Sequence, residues 1–428
     1  MPSTFFRAFN GSTSQLYKLG ADQSVTQWTA IDNLTPVDLT EFNRNVWFGG
    51  NTATQGNQLY KLGFDGSVTK WTAINTAGGG LQPIDLTDFS DALWFNGTTP
   101  TQGRQLYKLG NDGSVTQWTA IGADLNPFNL TLFNNALWFS GFRTSTDVQL
   151  YKLGSDGSVT QWTAIFTGLG VIGGGLAPVA FSQFNGALWF GGLTANLGYQ
   201  LYKLGFDGSV TQWTDNPAGL NPRNITEFDG NAWFTGTTGG ALGTQLYKLG
   251  FDGSVTQWTA INNLNPDADG NDRFTTFNDA LWFNGNAPGQ GGQLYKLGND
   301  GSVTKWTALN TAGVGLNPQG LFTFANALWF NGQTASGGQL FKLGADGSVT
   351  QWTAVPGGFD PQLVSQAAFD PDSTPSSIFE NAAWLQGTNA ANGGTELYKL
   401  GADGSLTLWK DINPGPGGSF PADWARFA

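Results

Sequence analysis

One phrase returns nine times along this chain, and that return limits what it can fold into. Read in full at Leu59–Ile74 as LYKLGFDGSVTKWTAI, the same words begin at Leu16, Leu59, Leu106, Leu150, Leu201, Leu246, Leu294, Leu340 and Leu397. Successive starts lie 43, 47, 44, 51, 45, 48, 46 and 57 residues apart. A period of that size implies units that stack in a row or radiate around an axis. Nine copies spread over 428 residues therefore imply a single repeat domain spanning 1–428, where length alone would allow two or three domains.

Within one period the signals are those of strands. Leu39–Phe42 is a short apolar-alternating run, Asn43-Arg44-Asn45 a tight polar turn, and Val46–Gly50 a second run. A loop then leads to Leu59–Leu62, and Asp65-Gly66 turns the chain back through Val68–Ile74. Asp-Gly between apolar runs is the strongest short-range hairpin signal. No stretch shows 3.6-residue spacing over ten or more residues, and glycine interrupts every candidate helix. Four short antiparallel strands per roughly 47 residues is the size of a propeller blade. The chain is thus expected to be all-β, a closed β-propeller of nine four-stranded antiparallel blades. Two tryptophans recur per unit, at Trp47 and Trp71 in the specimen, and both rings of indoles are expected to fill the wedges between blades. The ends fit closure, with Phe5-Phe6 standing where a VWF strand belongs and Ala422–Phe427 where LTEF belongs. Whole blades could meet at the seam, or one strand could be exchanged across it.

Composition excludes much chemistry. Charged residues make up 12 %, with 19 basic against 31 acidic side chains and no Lys/Arg run, so a nucleic-acid footprint is not expected. There is no Cys and no His, which removes thiolate chemistry, the commonest general base and the commonest transition-metal ligands. An enzyme would then need a carboxylate pair, and Glu41, Asp88, Glu227 and Glu380 recur too irregularly to form one. No catalytic residue is nominated. No apolar run is long enough to span a bilayer. Met1–Asn10 lacks the features of a secretory signal. The 62 glycines, with abundant Asn and Thr, suit an extracellular or cell-surface protein of turns and short strands.

The last copy, Glu396–Pro414 (ELYKLGADGSLTLWKDINP), resembles the bacterial repeat known by its ELWxxDGT signature, which continues into a KDINPG-like segment, here Lys410–Gly415. The likeness covers almost the whole chain. It departs in reading Asp-Gly-Ser for the DGT triplet and Gln for Glu396 in the other eight copies. The layout is also similar to kelch blades, and that comparison implies that VWFGG is the innermost strand and LTEF the outermost.

Connections fall into two classes. The Asp-Gly hairpin and the LTEF–VWF link hardly change, whereas the LWF–LYKL and post-TAI links vary, with long inserts at Gly168–Gly175, Asp267–Asp272 and Asp370–Ser377. In an up-and-down blade both variable classes emerge on one face, where binding residues usually sit. The aromatics outside the repeated words are Phe142, Phe166, Tyr199 and Phe359; with the amides of Asn196 and Asn392 they are the expected ligand contacts. The expected ligand is a carbohydrate, a glycan or surface polymer, held by a non-catalytic module. The alternative is a structural or surface-assembly protein without a small-molecule ligand. The nine hairpin aspartates are expected to satisfy their own turns. Asp267, Asp269 and Asp272, in the run DADGND, are the candidate Ca²⁺ ligands. They lack the flanking helices and twelfth-position Glu of a full loop. The repeated lysine is expected to snorkel past the blade edge or to pair with a carboxylate.

Overall fold

Apolar residues are continuous in the LWF and LYKL strands because both faces of each strand are buried. In blade 2, Val46, Phe48, Tyr60 and Leu62 pack towards blade 1. The intervening Trp47 and Leu59 pack towards blade 3 with Leu93, Phe95 and Tyr107. Nine such clusters, one per interface, make up the core. Each fully buried Leu or Phe contributes about 1.5–3 kcal/mol of transfer free energy.

The computed structural model describes residues 3–427 apart from 53, 75–78, 122–123, 166–173, 238–241, 267–273, 310–314, 364–377, 392 and 414–417. Nine antiparallel sheets form the ring, as the repeat predicts. Blade 2 is typical, with strands Val37–Phe42, Asn45–Thr52, Gly56–Leu62 and Val68–Lys70 in sheet order. The first two are joined by a two-residue turn, Asn43 (φ 47°) and Arg44 (φ 56°). Positive φ at both positions is the primed geometry that matches strand twist. In blade 9 the first strand is in two pieces, Gln362–Leu363 and Ile378–Phe379, both paired with Ala382–Thr388.

The radial order corrects the kelch-derived expectation. LTEF-type strands of neighbouring blades bond to one another: Asp85 N–H donates to Asp38 Oδ2 at 2.8 Å, and Gln183 Nε2 to the Leu132 carbonyl at 2.8 Å. Sheets that radiate from an axis approach so closely only at the centre, so LTEF is innermost. The VTQ or VTK strand, three residues long, is outermost.

Closure uses an exchanged strand. Ala422–Phe427, from the C-terminal end, pairs with Ser3–Phe9 and becomes the inner strand of blade 1, with Thr4 opposite Arg426 and Phe5 opposite Ala425. Trp424 is fully buried and stacks on Phe6 at 4.8 Å.

The two tryptophan rings differ. The LWF indoles are 0–4 % exposed. The outer-strand indoles are half-buried, and each donates its Nε1–H to a backbone carbonyl in the hairpin of the next blade. Trp71 reaches Gly113 at 2.8 Å, Trp258 reaches Gly301 at 2.7 Å, and Trp409 crosses the seam to Gln23 at 2.7 Å. Glycine suits the acceptor position because φ is positive, 78° at Gly301, and a Cβ there would lie 2.7 Å from the Trp258 ring. The repeated lysine sits over the indoles, and among the described residues no carboxylate lies within ion-pair distance of it. Lys61 Nζ lies 5.8 Å from Trp47 and 5.1 Å from Trp71, which are themselves edge-to-face at 5.2 Å. Of the two expectations, snorkelling past the blade edge or a carboxylate pair, the second is not met: the cation lies over π faces.

Trp258→Phe keeps an aromatic ring but gives up part of the indole's packing and one inter-blade hydrogen bond, and is expected to cost about 1–2 kcal/mol. Gly301→Ala forces strain and a clash together and is expected to cost about 2–3 kcal/mol. Urea unfolding midpoints measure both, and no loss in either variant would show that the indoles do not staple the blades.

Candidate functional site

Antiparallel order places the turns joining inner to second and third to outer strands on one face, the hairpin face. The second-to-third links and the passages between blades emerge on the other, the loop face. On the loop face, Tyr199 and Asn196 share one hairpin of blade 5. Asn196 is exposed at its turn (φ 67°), and Tyr199 is half-buried with its carbonyl accepting from Leu220 N–H at 2.8 Å. Burial holds the Tyr199 hydroxyl above its usual pKa. Phe142, on blade 4, is half-buried with its ring 6.2 Å from Phe128. Phe166, Asn392, Asp267, Asp269 and Asp272 lie outside the described residues.

Phe359 is a correction. It is 1 % exposed and stands edge-to-face with Tyr398 at 4.8 Å, so it cannot offer a face to a ligand. A pattern unread in the sequence explains this. Every passage between blades ends in an x-x-Pro triplet, as in Leu34-Thr35-Pro36, Leu125-Asn126-Pro127 and Phe359-Asp360-Pro361. The first residue is buried in the core and its carbonyl takes a backbone N–H, as Leu125 does from Phe142 at 2.7 Å. The middle residue has positive φ, 40° at Asn126 and 44° at Asp360.

A buried glutamine clamps each passage further. Gln58 Oε1 accepts from Thr72 Oγ1 at 2.9 Å and Ile74 N–H at 3.0 Å, while its Nε2 donates to the Ile74 carbonyl at 2.8 Å. Blade 9 departs from this rule with Glu396, whose carboxyl is pushed above its usual pKa by burial and, further down, by the Asp411 charge. The hairpin aspartates are occupied locally. Asp65 Oδ1 accepts from Ser67 N–H at 3.0 Å and Ser67 Oγ at 2.7 Å, and these bonds lower its pKa.

Two shallow grooves lie at the rim, one between blades 5 and 6 and one on blade 8. One, of about 370 Å³, is lined by Trp213, Asp215, Asn216 and Leu220 of blade 5 and its outgoing passage, with Tyr247 and Val255 of blade 6. The other, of about 400 Å³, is lined by Lys342, Asp346, Ser348, Thr350 and Trp352. At the axis, Asp423, Asp38 and Asp85 sit on the inner strands of blades 1, 2 and 3. Arg7 pairs with Asp423 at 3.1 Å. Burial first, and then the Asp38 charge, raise Asp85 to about 6.

The hairpin face carries exposed apolar groups that sequence reasoning passed over. Phe64, Phe206 and Phe251 are 75, 61 and 70 % exposed at hairpins where the other blades have Ala, Asn or Ser. Phe206 leans on Phe133 at 5.3 Å beside Leu132, which is 46 % exposed. The single-residue change from GADGS or GNDGS to GFDGS was the available signal.

No protein-family model matches this chain, and no curated protein matches it. Solved structures resemble it in fold. Dipeptidyl peptidase 4 of Porphyromonas gingivalis aligns over 85 % of this chain and 58 % of its own, at 10 % identity and TM-score 0.51. Oligopeptidase B of Leishmania major aligns over 90 % and 50 %, at 10 % identity and TM-score 0.46. A puromycin hydrolase aligns over 84 % and 59 %, at 13 % identity and TM-score 0.38. This chain thus spans about half to three-fifths of these proteins' length, and identities this low show the fold alone. The chain is a β-propeller module, and its described residues assemble no catalytic constellation. They contain no group of three or more acidic side chains that could hold a metal, and no helix long and apolar enough to cross a membrane.

Asp85 gives a pH signature. Its folded carboxyl is the weaker acid, so between about pH 4 and 6 the folded state holds more protons than the unfolded chain, and stability falls as pH rises through that window. Asp85→Asn is expected to stabilise the ring by on the order of 1–2 kcal/mol at pH 7.5 and to change little at pH 4. Thermal unfolding at both pH values decides it, and an equal effect at the two would remove the assignment.

Proposed function

We propose that the chain is a non-catalytic structural or surface-assembly propeller that meets its partner through the hairpin face. The observation carrying this reading is that Phe206, Phe251 and Leu132, on adjacent blades 4 to 6, are all exposed on this one face. Large exposed apolar side chains recurring on one face of a rigid, polar surface favour a contact site there. These groups are held in place: Asn134 Nδ2 donates to the Phe206 carbonyl at 3.0 Å and Asn185 Nδ2 to that of Phe251 at 2.9 Å. The outer strands are short and carry Thr, Gln and Lys, which blunts edge-to-edge pairing and leaves the faces for association. An extracellular or cell-surface setting suits the polar, weakly charged surface. The signature in blade 9 supports placing the chain with the ELWxxDGT-type repeat proteins.

Phe206→Ser with Phe251→Ser is expected to keep thermal stability within ~0.5 kcal/mol while weakening association. Sedimentation velocity over a wide concentration range tests this. A wild type that stays monomeric throughout and binds no cell-surface material would refute the reading.

A second reading, carbohydrate binding, is supported by the groove between blades 5 and 6. Trp213 offers a half-exposed indole there, with the carboxylate of Asp215 and the amide of Asn216 beside it. Such a set suits a sugar's apolar face and hydroxyls. Asp215→Ala is expected to abolish glycan-array binding with the fold intact, and an empty array for the wild type would dismiss it.

A further inference from the structure

Blade 9 breaks the repeat at two positions that lie close together. In the other eight blades a buried Gln opens the LYKL strand and the outer Trp is followed by Thr, whereas blade 9 has Glu396 and Lys410-Asp411-Ile412. Elsewhere the amide's two ends are both used: Gln15 Nε2 donates to the Ile31 carbonyl at 2.7 Å, while Oε1 accepts from Thr29 Oγ1 at 2.7 Å. Glu396 keeps only the accepting half. Its Oε2 takes Ile412 N–H at 3.1 Å and Ser419 Oγ at 2.8 Å, and the Asn413 backbone N–H also donates to the carboxylate. Its Oε1 is enclosed without a hydrogen-bond partner, and the residue is 0 % exposed. Asp411 Oδ1 is likewise enclosed and unpartnered. No basic side chain compensates them, because the ion pairs among the described residues are Arg7–Asp423 and Arg143–Asp147.

Two enclosed carboxylate oxygens without donors are costly unless a positive charge joins them. We propose that this part of the seam binds one hard divalent cation, with Glu396 and Asp411 as its anionic ligands. The donors are all oxygens, which favours Ca²⁺ over softer metals, and two carboxylates neutralise its charge. The place has a structural consequence. Ser419, bonded to Glu396, leads directly into Ala422–Phe427, the strand that closes the ring. A bound ion ties that strand's lead-in to blade 9.

The test uses the full chain stripped with chelator and then titrated with CaCl₂ by calorimetry, with melting temperature followed in parallel. One Ca²⁺ per chain and a rise in melting temperature are expected. Glu396→Gln installs the residue the other eight blades carry, so it should fold, bind Ca²⁺ at least tenfold more weakly and lose the thermal response. Asp267→Asn with Asp269→Asn and Asp272→Asn should bind as wild type, which separates this site from the acidic loop of blade 7. The proposal is overturned if wild type gives neither heat nor stabilisation, or if Glu396→Gln binds as tightly. It is also overturned if acidification alone stabilises wild type while Ca²⁺ does not, since a proton on Oε1 would then do the ion's work.

Discussion

Each blade is held to the next by an indole N–H that reaches across the gap to a hairpin carbonyl, and much of the repeat follows from that reach. The donor must be a tryptophan at the end of a short outer strand, and the acceptor must be a hairpin tip whose backbone comes close to the ring. In eight blades that tip is glycine, at which a Cβ would press on the indole, and this is why Asp-Gly-Ser recurs with little change while neighbouring loops vary. The lysine over the two indoles uses the same geometry. It covers their π faces and keeps a charge at the rim, where an uncovered pair of tryptophans would invite aggregation. Where the ring closes, Gln23 (φ 65°) replaces glycine and still accepts from Trp409.

A ring so held must still solve its seam. Repeats stacked in a row expose two unlike ends, and a circle removes both only if the last meets the first. Here the solution is covalent in part, since blade 1 takes its inner strand from the far end of the chain and shears only if four backbone pairings and the Trp424 contacts are lost together. The most irregular residues of the repeat, Glu396, Lys410, Asp411 and Ser419, cluster beside this seam. Regular copies need only bind their neighbours, whereas the seam must also hold a strand that arrives from elsewhere.

The nine-bladed ring was legible because period-2 alternation and Asp-Gly turns are local, and local signals repeated nine times leave little freedom. Radial order was not. Short apolar words recur in both LTEF and VWF, and neither carries a local mark of its distance from the axis, so a likeness to another family pointed the wrong way. Phe359 was misread because it stands out as an aromatic, although its place before x-Pro makes it equivalent to Leu34 and Leu125. The apolar tips at Phe206 and Phe251 were hidden for the opposite reason, lying inside a phrase so regular that one changed letter reads as noise.

That contrast bears on which face recognises other molecules. Loop variation is usually taken as a sign of recognition, but here it has a mechanical cause as well. The buried Gln fixes the start of each passage and the buried residue of the x-x-Pro triplet fixes its end, so the chain between can lengthen without disturbing either blade. Long insertions cost little once their ends are clamped, and spacings from 43 to 57 residues coexist in one ring. On the hairpin face the argument runs the other way. Its turns are short, two residues between inner and second strands and three, as in Phe64-Asp65-Gly66, between third and outer strands. The latter are bonded to the neighbouring blade's indole, so length hardly varies and a change of side chain is the main freedom left. An exposed Phe in that setting is held rigidly and carries little ordering cost into an interface, which makes three such substitutions more informative than many residues of loop.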